Sequence, residues 1–223
     1  TWTVENDATG KIAYPTLEYT LEDVGTHTYK VKETSTNGNG ITVDTNEYTV
    51  TVTVSDNGDG KLNVVATGDD YTKLDFVNKY EAEGEIVLEG TKTLVGRELA
   101  AGEFEFELVN EAGETVATAT NDAEGKFSFS EIEYDLDDVG EHIYKVTEVN
   151  DAKPGVTYDA APITVKVTIT DNGDGTLNVV KTADSADIAF IVDASAEGAI
   201  LLAGTKSLTG RALKAGEFSF ELY

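Results

Sequence analysis

Residues 163–180 read ITVKVTITDNGDGTLNVV. Ile163, Val165, Val167 and Ile169 occupy alternate positions, with threonine or lysine between them. Alternation with period two is typical of a strand that buries one face. The Asp-Asn-Gly-Asp-Gly run that follows contains Asn-Gly and Asp-Gly pairs, which favour tight hairpin turns. The stretch therefore predicts a β-hairpin with one apolar face.

The same sequence occurs more than once along the chain. The hairpin returns as YTVTVTVSDNGDGKLNVV at residues 48–65, at a spacing of 115 residues. Two further pairs recur at a spacing of 115 or 114 residues: LEDVGTHTYKVKE (21–33) with LDDVGEHIYKVTE (136–148), and EIVLEGTKTLVGRELAAGEFEFEL (85–108) with AILLAGTKSLTGRALKAGEFSFEL (199–222). A period of that size is one whole domain. The chain is therefore predicted to be a tandem array of similar domains.

The repeat boundaries and the strand pattern predict an all-β chain of antiparallel β-sandwich domains. Residues 81–195 form one complete copy. Residues 1–80 match only the later strands of a copy, and residues 196–223 match only the opening strands. We expect a mature fragment that starts and stops inside the domain pattern. Either the chain is an arbitrary cut from a longer array, or neighbouring chains complete each other's domains.

The composition excludes several functional classes. The 42 acidic and 16 basic residues give a net charge of −26, and such a surface repels nucleic acid and anionic membranes. The chain has no cysteine, so thiol catalysis and cysteine-based metal sites are excluded. Asp56-Asn57-Gly58-Asp59-Gly60 lacks the twelve-residue loop of a calcium site and is interpreted as a turn. We predict no metal, no cofactor and no membrane insertion.

Lysines fall on strand faces that should be apolar. Lys92 shares its face with Ile86, Leu88 and Leu94, and Lys206 repeats this position in the last copy. Burying an isolated ammonium group costs several kcal/mol, on the order of the stability of a small domain. Each of these lysines therefore needs a partner inside the domain.

Two other polar residue types also face the predicted core. Glu148 lies on the apolar face of LDDVGEHIYKVTE, and Glu33 lies on the apolar face of LEDVGTHTYKVKE. Asn78 lies on the apolar face of LDFVNKY, together with Leu74 and Phe76. One interpretation is a buried Lys–Glu ion pair with a nearby hydrogen-bonding asparagine. The other is a lysine that has condensed with a side-chain amide to form an isopeptide bond.

The second interpretation uses each member of the trio. Burial lowers the pKa of an amine, which makes the neutral nucleophile available, and raises the pKa of a carboxyl group. A protonated glutamate can then relay protons from the amine to the leaving group. Holding the groups in contact supplies an effective molarity of about 10⁵ M or more. By the chain-entropy analogy with a disulfide, a loop of roughly 100 residues is stabilised by about 4–5 kcal/mol.

The ordered motifs GTKxLxGRxLxxGEFxFEL, HxYKVxE and FVNKY resemble the isopeptide-forming CnaB-like repeat domains of Gram-positive pilins and surface adhesins, in particular the streptococcal pilin repeat type. The resemblance covers the whole chain and implies an Ig-like β-sandwich. It implies that Lys92 and Lys206 are bonding lysines, that Glu33 and Glu148 are catalytic glutamates, and that Asn78 is a bonding asparagine.

The chain departs from this pattern in two places. The complete copy ends in AFIVDAS, so a repeat spacing of 115 places Asp193 at the bonding position, whereas a spacing of 114 places Val192 there. We expect Asp193, because Ala189 and Ile191 then share its face, and an aspartate can form the bond by losing water. In addition, no lysine of this kind precedes Asn78 in the chain. Its partner is expected in missing opening strands or in another chain, at a position equivalent to Lys206.

The predicted function is structural. We expect a shaft or stalk module of a bacterial pilus or adhesin, outside the cell on the cell surface, with neighbouring copies of the same domain as partners. The internal chemistry would be a single self-catalysed cross-linking event, not enzymatic turnover. A covalent sortase polymer and a single-chain stalk both stay open. The alternative function is an adhesive domain that binds a host protein or glycan, and a host ligand could also be bound elsewhere in a longer protein.

Overall fold

The computed structural model describes residues 1–182 and 185–223. The first part of the chain contains five strands: β1 Gly25–Lys32, β2 Ile41–Thr42, β3 Glu47–Asp56, β4 Leu62–Gly68 and β5 Lys79–Tyr80. The complete repeat contains eleven: β6 Gly84–Ile86, β7 Glu89–Val95, β8 Glu105–Val109, β9 Thr115–Thr120, β10 Lys126–Ser128, β11 Ile132–Tyr134, β12 Gly140–Glu148, β13 Val156–Thr157, β14 Ile163–Asp171, β15 Leu177–Lys181 and β16 Ala189–Ala194.

Helical structure is limited to short turns in the described residues. Two 3₁₀ helices, Leu21–Asp23 and Leu136–Asp138, each precede a long strand at equivalent positions of the repeat. Both carry a capping box, in which the third helical residue is an aspartate. Its carboxylate accepts a hydrogen bond from the backbone N–H of the residue before the helix. No described helix has the length and apolar character needed to cross a bilayer.

Residues 81–195 form a β-sandwich. One sheet has the strand order β15-β14-β12-β8-β9, and the other has the order β10-β7-β16-β13, with β6 paired to β11 at the side. The described strands of this sandwich pair antiparallel with one exception. The last strand, β16, runs parallel to β7. An early strand and the last strand of the domain are therefore direct neighbours, which places their side chains within reach of each other.

The core of the sandwich contains the alternate residues that the sequence predicted for β14. Val165 and Val167 of β14 have no exposed surface, and Ile169 is almost as completely buried. Phe106 stacks on Phe127 from the opposite sheet, with ring centroids 3.8 Å apart. The predicted burial of one face is confirmed, and the hairpin turns are also confirmed, since β3 joins β4 and β14 joins β15 through the Gly-rich runs.

Residues 1–80 repeat part of this sandwich, because their three-stranded sheet β1-β3-β4 corresponds to β12-β14-β15. Strand β1 pairs with β3 in the register Gly25↔Val54, and β12 pairs with β14 in the equivalent register Gly140↔Ile169. His27 and His142 each place their ring Nε2 against a carbonyl oxygen of the preceding 3₁₀ helix, at 2.6 and 2.7 Å. The prediction that these histidines are hydrogen-bonded strand residues is confirmed.

Residues 196–223 form no strand, although they repeat a sequence that forms strands β7 and β8. Phe220 is 75% exposed, whereas its counterpart Phe106 is fully buried. The difference lies in the surroundings, because Phe106 packs against residues of the later strands of its own repeat, and Phe220 has no such partners in this structure. Strand formation in this segment therefore depends on contacts with the rest of a domain.

The first two repeats meet at a tight junction. The Tyr80 hydroxyl donates a 2.7 Å hydrogen bond to Asp171 Oδ1, and the Glu81 backbone N–H donates to the Gly40 carbonyl oxygen at 2.9 Å. Gly40 and Gly175 face each other so closely that a Cβ atom on Gly175 would lie 2.5 Å from the Gly40 backbone nitrogen. Side chains are therefore excluded from both positions.

We predict that Gly175→Ala opens this junction. Gly175 has a φ of +88°; its neighbour Gly173, in the same turn, has a φ of +75°, and a Cβ atom there would meet no other atom within 4 Å. Gly173→Ala is thus the matched control, with a backbone cost of about 1–2 kcal/mol and no clash. We expect Gly175→Ala to accelerate proteolytic cleavage within residues 81–84 well beyond Gly173→Ala. Equal cleavage of the two variants would contradict a tight junction.

Candidate functional site

Lys92 points into the core of the complete repeat, as predicted. It lies on β7 between Gly90 and Leu94 on the inward face, and its side chain has no exposed surface. The Nζ atom lies 4.3 Å from the centroid of the Phe104 ring, a cation–π contact that stabilises a buried cation. The absence of a side chain at Gly90 makes room for the Phe127 ring, since a Cβ atom at Gly90 would collide with that ring.

Glu148 is the partner of Lys92. It ends β12 in the opposite sheet, its side chain is also fully buried, and its Oε1 atom contacts Lys92 Nζ. Its Oε2 atom accepts a 3.2 Å hydrogen bond from the Asp159 backbone N–H. Among the described residues, neither Lys92 Nζ nor Glu148 Oε1 has a further hydrogen-bond partner. The pair therefore depends on its own contact for compensation.

Burial dominates the electrostatics of Lys92. Desolvation lowers the pKa of the ammonium group, and the hydrogen bond and charge of Glu148 oppose this shift without cancelling it. The negative charges of Asp159 and Glu103 also raise the pKa of Lys92, by smaller amounts. The direction of the shift favours the neutral amine, the form that can act as a nucleophile.

Asp193 does not face Lys92, and the prediction that it does is wrong. In the parallel pairing of β16 with β7, Phe190 lies opposite Lys92 and Asp193 lies opposite Val95. Phe190 has no exposed surface and Val192 is 3% exposed, while Asp193 is on the exposed face. Since side chains alternate along a strand, these two apolar residues turn Asp193 outward.

The strand pairings identify the correct spacing in this segment as 114 residues. Ala194 pairs with Val156 on β13, just as Tyr80 pairs with Ile41 on β2. Two positions earlier on the last strand, Val192 therefore takes the place that Asn78 takes in the first part of the chain. The structure therefore places Val192, not Asp193, at the position that corresponds to Asn78.

The structure does bring Glu33 and Asn78 together. Asn78 Nδ2 donates a 2.9 Å hydrogen bond to Glu33 Oε1. Asn78 Oδ1 accepts a 2.8 Å hydrogen bond from the Asp44 backbone N–H. Asp44 is held in turn by the Val77 backbone N–H, which donates to its carboxylate at 2.8 Å and lowers its pKa. The asparagine amide is thus held at both ends, and it is exposed because nothing in residues 1–80 occupies the position of Lys92.

Lys206 is exposed and forms neither an ion pair nor a hydrogen bond with Glu33 or Asn78. Its Nζ atom donates a 2.6 Å hydrogen bond to the neighbouring Ser207 carbonyl oxygen and lies 4.7 Å from the centroid of the Phe218 ring. This contact repeats that of Lys92 with Phe104. The local arrangement of the lysine and its aromatic neighbour thus forms without the rest of the domain.

Sequence reasoning missed the backbone amides of Asp44 and Asp159. Each lies at the same distance along its repeat, and each donates to one member of the predicted trio: Asn78 in one case, Glu148 in the other. The recurrence of this aspartate at a spacing of 115 residues was a usable clue. Its function is carried by the main chain, however, and side-chain patterns do not reveal main-chain donors.

We predict that Glu148→Ala destabilises the complete repeat by about 3–5 kcal/mol, because it leaves a buried ammonium group without a partner. The double variant Lys92→Met with Glu148→Leu removes both charges and should recover most of that loss. Urea unfolding monitored by circular dichroism measures both. A double variant no more stable than Glu148→Ala would contradict the pairing.

Comparison with known proteins identifies the family. The model of the FctA family, described as the Spy0128-like isopeptide containing domain, matches residues 2–81 and 88–192. No curated protein matches the chain. An asparagine-to-alanine variant of the major pilin of Streptococcus pyogenes is 18% identical, with a TM-score of 0.31, over 49% of this chain and 50% of that chain. The S. pyogenes major pilin T3.2 is 21% identical, with a TM-score of 0.24, over 77% of this chain and 67% of that chain.

The chain spans about half the length of the first of these solved structures. The two segments of the family match together cover most of the chain. Each segment contains one of the glutamates, and the second contains Lys92. The chain therefore belongs to the FctA family of Spy0128-like isopeptide-containing domains.

Proposed function

We propose that this chain is a structural module of the shaft of a bacterial surface fibre, displayed outside the cell, in which lysine–asparagine isopeptide bonds strengthen individual repeats. The observation that carries the proposal is the Glu33–Asn78 half-site, whose hydrogen bonds hold an asparagine amide in a reactive arrangement. Family membership and the tandem arrangement of repeats along the chain support it.

The proposed division of the chain follows the sequence repeat. Residues 1–80 are the later strands of one repeat, residues 81–195 are a complete repeat, and residues 196–223 are the opening strands of another. The junction at Tyr80 and Gly175 joins the first two units with direct hydrogen bonds. A firm joint between units suits a shaft that carries load along its length.

The chemistry follows from the atoms around Asn78. A lysine at the position of Lys92 or Lys206, on an opening strand, places Nζ against the Asn78 side-chain carbonyl carbon. The Asp44 backbone N–H donates to Oδ1, where negative charge develops during the attack. Glu33 contacts Nδ2, the nitrogen that must leave, and so can transfer the proton from the lysine amine to it.

Formation of the isopeptide bond needs no cofactor. The bond from lysine Nζ to the Asn78 carbonyl carbon forms, and the bond from that carbon to Nδ2 breaks. One proton passes from the amine through the Glu33 carboxyl group to the departing nitrogen, and ammonia is released. Neighbouring copies of the domain are the proposed partners, because residues 196–223 repeat the opening strands that carry the lysine.

We predict that the Glu33–Asn78 half-site reacts with a peptide of residues 196–223. The chain carrying Lys206→Arg is used as the acceptor, so that it cannot itself supply the amine. We expect a covalent adduct whose mass equals the sum of the two components less one ammonia, measured by intact-mass spectrometry under denaturing conditions.

Three controls test the chemistry. A peptide with Lys206→Arg should give no adduct, and neither should an acceptor that also carries Asn78→Ala. An acceptor that also carries Glu33→Ala should react far more slowly, since general acid–base catalysis contributes about 10²–10⁴-fold. Peptide binding without any loss of ammonia would contradict the cross-linking proposal.

A further inference from the structure

The two repeats show complementary parts of one site. In the first part of the chain, Glu33 contacts Asn78, and the lysine is missing. In the complete repeat, Glu148 contacts Lys92, and the amide is missing. Glu33 and Glu148 lie at equivalent positions, at the ends of paired strands with identical register. Taken together, the two halves define a three-residue site around one glutamate.

The position of the missing amide in the complete repeat is residue 192. The pairing of Ala194 with Val156 and of Tyr80 with Ile41 makes Val192 the structural equivalent of Asn78. Val192 is buried and shares the inward face of β16 with Phe190, which lies opposite Lys92. Its side chain is a hydrocarbon and offers no carbonyl carbon for the amine to attack.

The equivalent hydrogen bonds differ between the two repeats, because Val192 has no amide group to accept one. The Asp44 N–H donates to the asparagine carbonyl oxygen at 2.8 Å, whereas the equivalent Asp159 N–H donates to Glu148 Oε2 at 3.2 Å. The donor that would polarise an amide is present in the complete repeat, and in the absence of an amide it binds the glutamate. Lys92, Glu148 and the Asp159 N–H thus lack only an acceptor group.

We propose that residue 192 determines whether this repeat is cross-linked, and that Val192 leaves residues 81–195 held by the non-covalent Lys92–Glu148 pair. This inference rests on the cross-linking chemistry proposed above. The complete repeat then lacks the covalent bond that is proposed for the repeat containing Asn78. Under load it would be the unit that can extend, because no covalent bond joins its early strand β7 to its last strand β16.

The first test is the wild-type chain. After unfolding and proteolytic digestion, we expect the peptides that contain Lys92, Glu148 and Asp193 to be recovered separately, each at its full sequence mass. A peptide in which Lys92 is joined to Asp193 or to Glu148, with the loss of one water, would overturn the inference. This measurement needs no variant and is independent of any effect on folding.

The second test installs the acceptor. Asparagine is close to valine in volume, so Val192→Asn should assemble the complete trio. We expect the variant to lose one ammonia, to yield a peptide that joins Lys92 to residue 192, and to melt at a higher temperature than wild type. The same variant with Glu148→Ala or Lys92→Arg should keep its full mass.

Asp193→Asn is the matched control, since it places the same amide one residue away on the exposed face of β16. It should keep its full mass. If Asp193→Asn loses ammonia and joins Lys92, residue 193 is the acceptor and the inference fails. If Val192→Asn does not fold, Val192→Asp provides a second acceptor, which should lose water instead.

The outcomes separate this inference from the proposed function. If the Asn78 half-site forms its adduct while a folded Val192→Asn keeps a free Lys92, residue 192 is not the acceptor position and only the inference fails. If neither site reacts, the cross-linking chemistry itself fails, and the inference fails with it.

Discussion

The contact between Lys92 and Glu148 is the constraint on which the complete repeat depends. Both side chains are without exposed surface, and each would be strongly unfavourable alone. They come from opposite sheets of the sandwich, so the contact also fixes how the sheets face each other. Hydrophobic residues of similar volume could fill the same space at no loss of stability.

The chain contains nearly the same opening sequence in two settings. Residues 85–108 contribute strands β7 and β8 to the sandwich, whereas residues 199–222 form no strand. The local contacts that need only near neighbours survive in both, as with Lys206 over Phe218 and Lys92 over Phe104. Strand pairing and the burial of side chains do not form without the remaining strands. This comparison separates what a short segment specifies locally from what a domain imposes on it.

The last strand shows how packing decides chemistry. Turning β16 over would bury Asp193, Ile191 and Ala189 in place of Val192 and Phe190. Burying a large apolar side chain contributes about 1.5–3 kcal/mol, and burying an unpaired carboxylate costs several kcal/mol. The orientation that buries Val192 and Phe190 is therefore favoured. The same choice removes the only acidic side chain of β16 from the reach of Lys92.

The all-β class, the hairpins and the inward direction of Lys92 and Glu148 follow from the amino-acid pattern, because period-two alternation is a local property of strands. The pattern also shows the tandem repeat, and it identified Glu33 and Asn78, which the structure brings into contact. The assignment of Val192 to the position of Asn78 needed the folded chain, since a spacing change of one residue reverses every side chain of a strand and the register of β16 is set by its pairing with β7 and β13. The main-chain donors of Asp44 and Asp159 also became visible only in the fold, because the direction of a backbone amide depends on how the chain folds and not on which side chain it carries.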